Sequence, residues 1–271
     1  MRARTRARTR ARTRCRTREA VRVVGRRESG ALRNEGLGTV GVLGARGGAG
    51  ASVTAALLAR AAARRGPTAL VDLGPPPALA VLLGTERSPG LRWPDLAGAR
   101  GHVDPDHLAR SLPRWARCTV LSADPERSAT PPPGVEGDVL TALGAAHPTV
   151  VIDLGRLVPR GAGQGTGTVP GGCDVLLLVV PRDVPAVAAA RVVRSDLLAL
   201  GPPVGIVVRG PAPGGLGTAE VAQAVGLPLL GALPASRSLA SALDRGLGPQ
   251  PGRRGSRAVD RLVASLDRWT P

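Results

Sequence analysis

The nine residues Gly44-Ala-Arg-Gly-Gly-Ala-Gly-Ala-Ser52 are the part of this chain whose types and spacing speak most directly of chemistry. An apolar run from Thr39 to Leu43 precedes them, and a stretch of helical character from Val53 to Arg65 follows. Strand, glycine loop and helix N-terminus in that order form a phosphate cradle. Glycine lets backbone N–H groups turn inward, and the first turn of the helix adds positive potential. The donors of such a cradle are Gly47, Gly48, Ala49, Gly50, Ala51, Ser52 and Val53, with Arg46 at its rim. The Ser52 hydroxyl is placed to bind Mg²⁺. Asp153 closes the apolar run Thr149-Val-Val-Ile-Asp153 and suits the same ion through water. Asp72 closes Ala69-Leu-Val-Asp72 and can face the same spot, so Asp72 and Asp153 are the candidate catalytic acids. One residue type is missing: the lysine such a loop carries before its final Ser is Ala51 here. An ordinary α/β domain with tight glycine turns and capping aspartates remains the bland alternative.

These groups meet only if the right elements carry them. Short β-branched runs at 39–43, 68–73, 118–122, 149–154, 174–180, 204–209 and 228–232 read as strands. Ala/Leu-rich segments at 51–65, 104–112, 134–146, 184–200, 216–226, 236–245 and 256–268 read as helices. Continuous apolar strands such as Val175–Val180 suit a sheet buried on both faces. Strands and helices in alternation predict an α/β fold, a mostly parallel sheet of about seven strands with helices on both faces. Ligands in such sheets sit beyond the carboxyl ends of the strands. Asp72, Asp153 and Asp183 all fall at or near those ends.

Composition narrows the class. The 271 residues are 43% hydrophobic, enough for a core, yet contain no Phe and no Tyr, so Leu, Val and Ala must fill it. Every basic residue besides His is arginine. The net charge of +17 is uneven, because thirteen arginines and three glutamates in residues 1–37 account for +10 of it. Residues 2–18 repeat Arg-Ala-Arg-Thr and carry no large apolar side chain, so a disordered arm and linker are expected over 1–37, with one domain over 38–271. The arm is either a contact for acidic lipid or nucleic acid or simply a solvated tail. Cys15, Cys118 and Cys173 fit neither a disulfide framework nor a zinc site, and His102, His107 and His147 show no metal spacing. No apolar run reaches the about 20 residues of a membrane span, and the arginine-rich start lacks the apolar stretch of a secretory signal. The expected location is cytoplasmic.

Residues 38–245 resemble the ParA/MinD group of P-loop ATPases, whose loop reads Lys-Gly-Gly-x-Gly-Lys-Ser/Thr. Within the group they are similar to the CpaE-like branch and its actinobacterial septum-site-determining proteins. The resemblance rests on Arg46–Ser52, Pro89-Gly-Leu-Arg-Trp-Pro-Asp-Leu96, Val180-Pro-Arg-Asp-Val184 and Val207–Leu216. It implies ATP or ADP with Mg²⁺ as cofactors. Arg46 then stands at the lysine that reaches a dimer partner's nucleotide, and Ala51 at the lysine that contacts the β- and γ-phosphates. Ser52 matches the Mg²⁺ ligand and Asp153 the Walker B acid. Asp72 matches the first acid of an Asp-x-Asp pair whose second member is Gly74 here. Asp183 matches an acid near the nucleotide, and Arg209 stands where relatives use Asn to read adenine. Such proteins commonly carry an N-terminal receiver-like domain; here only the arm is expected before Gly38.

The departures point one way. Phosphoryl transfer depends on positioning and charge neutralisation, and losing one preorganised group costs about 10²–10³ in rate. With Ala51 and Gly74 in place, the expectation is a nucleotide-binding regulator with weak or absent ATP hydrolysis. Its setting would be septum-site determination or Flp/Tad-type pilus and secretion assembly, with a nucleotide-dependent self-dimer and division, pilus or secretion proteins as partners. The alternative is a non-enzymatic scaffold of the same fold. Two further contacts stay open: nonspecific nucleic acid through the arm, and the inner face of the membrane through the arm or the C-terminal helix. Ala258, Val259, Leu262, Val263, Leu266 and Trp269 make that helix amphipathic, which serves a membrane or the sheet equally well. Trp93 is weighed as a partner contact against packing under a loop.

Overall fold

The computed structural model describes residues 36–74, 78–99, 103–127, 134–156 and 172–269. The arm, His102, Cys15, the Pro131–Pro133 run and most of the glycine-rich 159–172 segment lie outside these residues. The chain runs β1 (Gly38–Gly44), α1 (Ala51–Ala62), β2 (Thr68–Asp72), α2 (Ala78–Leu83), a 3-10 turn (Trp93–Leu96), α3 (Pro105–Ser111), β3 (Arg114–Trp115), β4 (Cys118–Leu121), α4 (Val135–Ala146) and β5 (Thr149–Arg156). It continues through β6 (Val175–Pro181), α5 (Val184–Ala199), β7 (Val204–Arg209), α6 (Thr218–Val225), β8 (Leu229–Leu233), α7 (Arg237–Asp244) and α8 (Arg253–Trp269).

The sheet has eight strands in the order β3-β4-β2-β5-β1-β6-β7-β8. Every neighbouring pair is parallel except β3 with β4, so the architecture is the expected α/β one. The eighth strand corrects the expected count of about seven. It is the two-residue β3, too short to show any alternation of its own; Arg114 and Trp115 pair across a tight turn at Ala116 and Arg117.

Alternation along each strand sorts the apolar side chains into two cores. In β6, Val175, Leu177 and Val179 face one core and Leu176, Leu178 and Val180 the other. The first core is completed by α1, α2, α7 and α8, the second by α3 to α6. Val40, Val42 and Leu43 of β1 and all six residues Val175 to Val180 of β6 are buried to 0–1% exposure, as expected for strands covered on both faces.

The apolar stripe of α8 is committed to the first core. Ala258, Val259, Leu262, Val263 and Leu266 are all buried against α1 and β8, and Trp269 packs at their edge. A Cβ at Gly231 of β8 would stand 3.1 Å from Leu262 Cδ1, so glycine there permits the close helix–strand approach. The stripe that sequence alone divides between membrane and sheet is, in the folded chain, occupied by the sheet.

Candidate functional site

β1 is the topological switch point: β5 lies on one side of it and β6 on the other. The glycine loop 45–50 leaves its carboxyl end, where a crevice ligand binds in folds of this kind. The loop is tied down by few bonds. Ala45 N–H donates to Val179 C=O at 3.0 Å and Ala49 N–H to Arg46 C=O at 3.2 Å. Gly48 and Gly50 have φ of 71° and 87°, a left-handed backbone that favours glycine. Gly50 caps α1, no side chain closes the helix start, and a Cβ at Gly47 would meet nothing within 4 Å. The amides of Gly47, Gly48, Gly50, Ala51, Ser52 and Val53 have no backbone acceptor among the described residues. The side chains of Ala51 and Val53 are buried, so these residues can serve a ligand chiefly through N–H; Ala49, expected among the donors, instead spends its N–H on Arg46 C=O within the loop. Ala51 packs into the first core, and the helix start therefore presents no cation.

Beside the loop, parallel pairing of β2 and β5 sets Asp72 directly opposite Asp153. The register of β1 and β5 puts Asp153 level with Val42, two residues before the loop. Both carboxyls are buried, at 2% and 1% exposure. Asp72 Oδ1 accepts from Gly74 N–H at 3.0 Å, and Asp153 Oδ1 from Gly155 N–H at 3.0 Å. The Oδ2 atoms of both are buried with no hydrogen-bond partner of normal geometry among the described residues. Two adjacent buried carboxyls cannot both hold their charge at ordinary cost. Burial, then the neighbouring Asp153, pushes Asp72 up to about 7 against the opposing amides of Gly74, Leu79 and Ala123. Burial also raises Asp153, which the Ser52 hydroxyl and Gly155 amide pull the other way. Orphaned carboxylate oxygens beside a serine hydroxyl and an open amide loop form an oxygen-rich site that fits Mg²⁺ and phosphate.

Two side chains brace the pair from below. Trp93, weighed as a partner contact against packing under a loop, takes the packing role: it is buried at 2% exposure, and its Nε1–H donates to Asp72 C=O at 2.7 Å. Arg92, also buried, donates from its guanidinium to Ser122 Oγ at 2.7 Å and to Ser88 C=O at 3.2 Å, and its backbone N–H donates to Asp95 Oδ2 at 2.8 Å. The Leu91–Leu96 segment thus fastens the end of β2 under Asp72. In sequence the segment carries part of the family resemblance, but its apolar–aromatic run is too short to read as an element.

The loop's arginine partners also take definite places. Arg46 Nη2 donates to Asp183 Oδ2 at 2.7 Å, and Asp183, which caps α5 through Ala186 N–H, is held below the usual carboxylate range first by Arg46. Arg209, at the end of β7, extends to the loop: Nη1 lies 3.5 Å from Ala49 C=O and sits where a Gly50 side chain would be. A cavity of about 570 Å³ starts one residue further on, with Gly210, Pro211, Leu233 and Pro234 in its wall. Cys118 and Cys173 are buried and free; burial pushes each thiol up to about 12, which leaves them unreactive. Among the described residues no cluster of His, Cys, Asp and Glu could hold a metal by itself.

No family model matches the chain. Two uncharacterized proteins of Mycobacterium tuberculosis, from strains CDC 1551 and H37Rv, are each 41% identical to it over 219 residues, 80% of this chain. The chain spans 60% of the length of these curated relatives. Among solved structures, a ParA family ATPase from Chlorobium tepidum superposes with a TM-score of 0.70 at 16% identity, covering 84% of this chain and 97% of that one. The septum site-determining protein MinD from Pyrococcus horikoshii, complexed with Mg-ADP, gives 0.69 at 17% identity, covering 85% and 96%. The MinC:MinD cell division complex of Aquifex aeolicus gives 0.66 at 17% identity, covering 85% and 96%. With its glycine loop at the switch point and carboxylates on the neighbouring strands, the described chain has the fold of the ParA/MinD P-loop ATPases.

Proposed function

We propose that this protein is a nucleotide-binding regulator of the ParA/MinD kind that hydrolyses ATP slowly or not at all. The observation that carries this reading is the buried Asp72–Asp153 pair beside an open glycine loop, with one oxygen of each carboxyl lacking a hydrogen bond of normal geometry among the described residues. Free amides of Gly47, Gly48 and Gly50 to Val53 suit the phosphates, and the Ser52 hydroxyl and Asp153, through water, suit Mg²⁺. A bound Mg²⁺ would supply charge neutralisation at the phosphates. The solved MinD with Mg-ADP supports this assignment.

Slow turnover follows from what the loop lacks. Ala51 offers no charge, and Gly74 offers Asp72 an N–H where a second acid would orient water. Two missing groups, each worth about 10²–10³ in rate, remove most of the stabilisation such a site provides. The biological setting we propose is septum-site determination or pilus and secretion assembly. It rests on the CpaE-like segments of the sequence and on MinD neighbours, one of them solved with MinC. The partners would be a second copy of the chain and proteins of those machineries. We place it at the cytoplasmic side, with residues 1–37 as an arm on the 38–271 domain; no described helix is long and apolar enough to cross a membrane.

Calorimetric titration of the full chain with Mg-ATP and Mg-ADP, paired with sizing in each state, tests the reading. Binding of both nucleotides with a dimer only in ATP is expected. No heat at millimolar nucleotide would leave the scaffold reading, in which the fold acts through protein contacts alone.

A further inference from the structure

We infer that Arg209 is the phosphate-facing cation of the glycine loop, supplying from the end of β7 the charge that Ala51 does not supply from α1. The inference deepens the nucleotide reading and rests on it.

The placement is specific. A Cβ built on Gly50 would fall 1.4 Å from Arg209 Nη1, 2.5 Å from Cζ and 3.2 Å from Cδ. The guanidinium therefore occupies the side-chain space of the residue just before Ala51, and only glycine at position 50 admits it. It reaches that space across the sheet, since β6 lies between β1 and β7.

Charge accounting separates it from the loop's other arginine. Arg46 is already neutralised by Asp183 at 2.7 Å. Arg209 has no carboxylate partner among the described residues, and its contact with Ala49 C=O, at 3.5 Å, is long for a hydrogen bond. It is half-buried, and burial lowers its proton affinity, though an arginine remains cationic at neutral pH. A desolvated cation without a counter-charge is costly unless an anion arrives to pair with it. The planar fork of guanidinium donors fits two phosphate oxygens at once, whereas an ammonium acts as a point charge. An arginine from outside the loop can therefore take over charge neutralisation at the β-phosphate without reproducing the geometry of the lost lysine.

The test uses the full-length protein and two probes, Mg-ADP and inorganic pyrophosphate, the second read by displacement of a fluorescent ADP analogue. Arg209→Ala is expected to weaken both by a similar factor, about 10- to 100-fold, and Arg209→Lys to recover most of it. Ala51→Lys in the Arg209→Ala background is expected to regain at least about 10-fold, because the charge returns by the other route. Thermal melting without nucleotide checks the fold; should the alanine variant unfold, Arg209→Gln, which keeps much of the bulk without the charge, carries the test and is expected to lose affinity for both probes as Arg209→Ala would. An Arg209→Ala protein that binds Mg-ADP as the parent does, or more tightly, overturns the inference; tighter binding makes Arg209 a plug of the loop. Loss of Mg-ADP with pyrophosphate unaffected also overturns it, since Arg209 would then serve the base. A parent chain that binds neither probe sinks the nucleotide reading as well, an outcome distinct from the other two.

Discussion

Asp72 concentrates the energetics of the site in one side chain. In the folded protein burial and Asp153 push its carboxyl up to about 7, while in the unfolded chain it gives the proton up at the ordinary 3.8. Between these values the native state binds more protons than the unfolded one. The stabilisation from this residue is thus complete below 3.8 and lost as pH rises through 7. A shift of this size is worth about 4 kcal/mol as an upper bound, since neighbouring groups relax. Asp72→Asn keeps an oxygen for the Gly74 amide and removes the charge. We expect it to raise the melting temperature of the nucleotide-free protein at pH 8, by about 2–4 °C for each kcal/mol recovered, and to leave it unchanged at pH 4. Melting curves across that range check this; equal melting at pH 8 would mean that the buried Asp72 charge carries no such cost. At this scale the sequence was half legible. Gly47 to Ser52, Asp72 and Asp153 could be picked out because chain-end positions of parallel strands and a glycine loop are local signals. Arg209 could be assigned to the nucleotide only through the resemblance, at the base; its position over Gly50 could not be read, because it depends on a side chain crossing from β7 to β1, and neither could the Trp93 bond beneath Asp72.

Among the elements, α8 offers the sharpest test. Its stripe closes the first core over β8, and Leu262 is 1% exposed where it meets Gly231. Leu262→Ala leaves a hole between helix and edge strand and should cost about 2–4 kcal/mol, read from denaturant midpoints at constant slope. If the stripe instead served a lipid surface, the same change would spare stability and reduce binding to anionic vesicles. The helices and inner strands were readable in outline because each buries a continuous or periodic apolar pattern over five or more residues. Three short pieces escaped that reading. β3 has two residues, the 3-10 turn has four, and the six-residue α2 follows three prolines. Each is held by contacts from distant segments, such as Leu79 and Leu83 in the first core, and a local pattern carries no record of those contacts. Strand ends differ from expectation by one or two residues for the same reason: β5 runs on to Arg156, past the apolar run, through its pairing with Gly44.

For the molecule as a whole, the Arg46–Asp183 pair bears on assembly. In the dimer we propose, Arg46 would leave its own chain to reach a partner's nucleotide, which requires breaking this bond. The pair is partly exposed, at 40% and 26%, so solvent screens it and its worth is about 0.2–1 kcal/mol. Asp183 also caps α5 by accepting from Ala186 N–H at 2.8 Å, a role an asparagine oxygen can fill. Asp183→Asn therefore removes the counter-charge while keeping the helix start. Because a dimer breaks two such bonds, one in each copy, and each opposes dimerisation only by what it is worth, the variant should dimerise in ATP at a protein concentration about two- to thirty-fold lower than the parent. Sedimentation across a concentration series in ATP and in ADP measures this, and high salt should narrow the difference between the two proteins. A variant that dimerises less readily would show that Asp183 holds Arg46 in the orientation the partner needs, and the bond would then be part of the assembled state rather than a lock on the free chain.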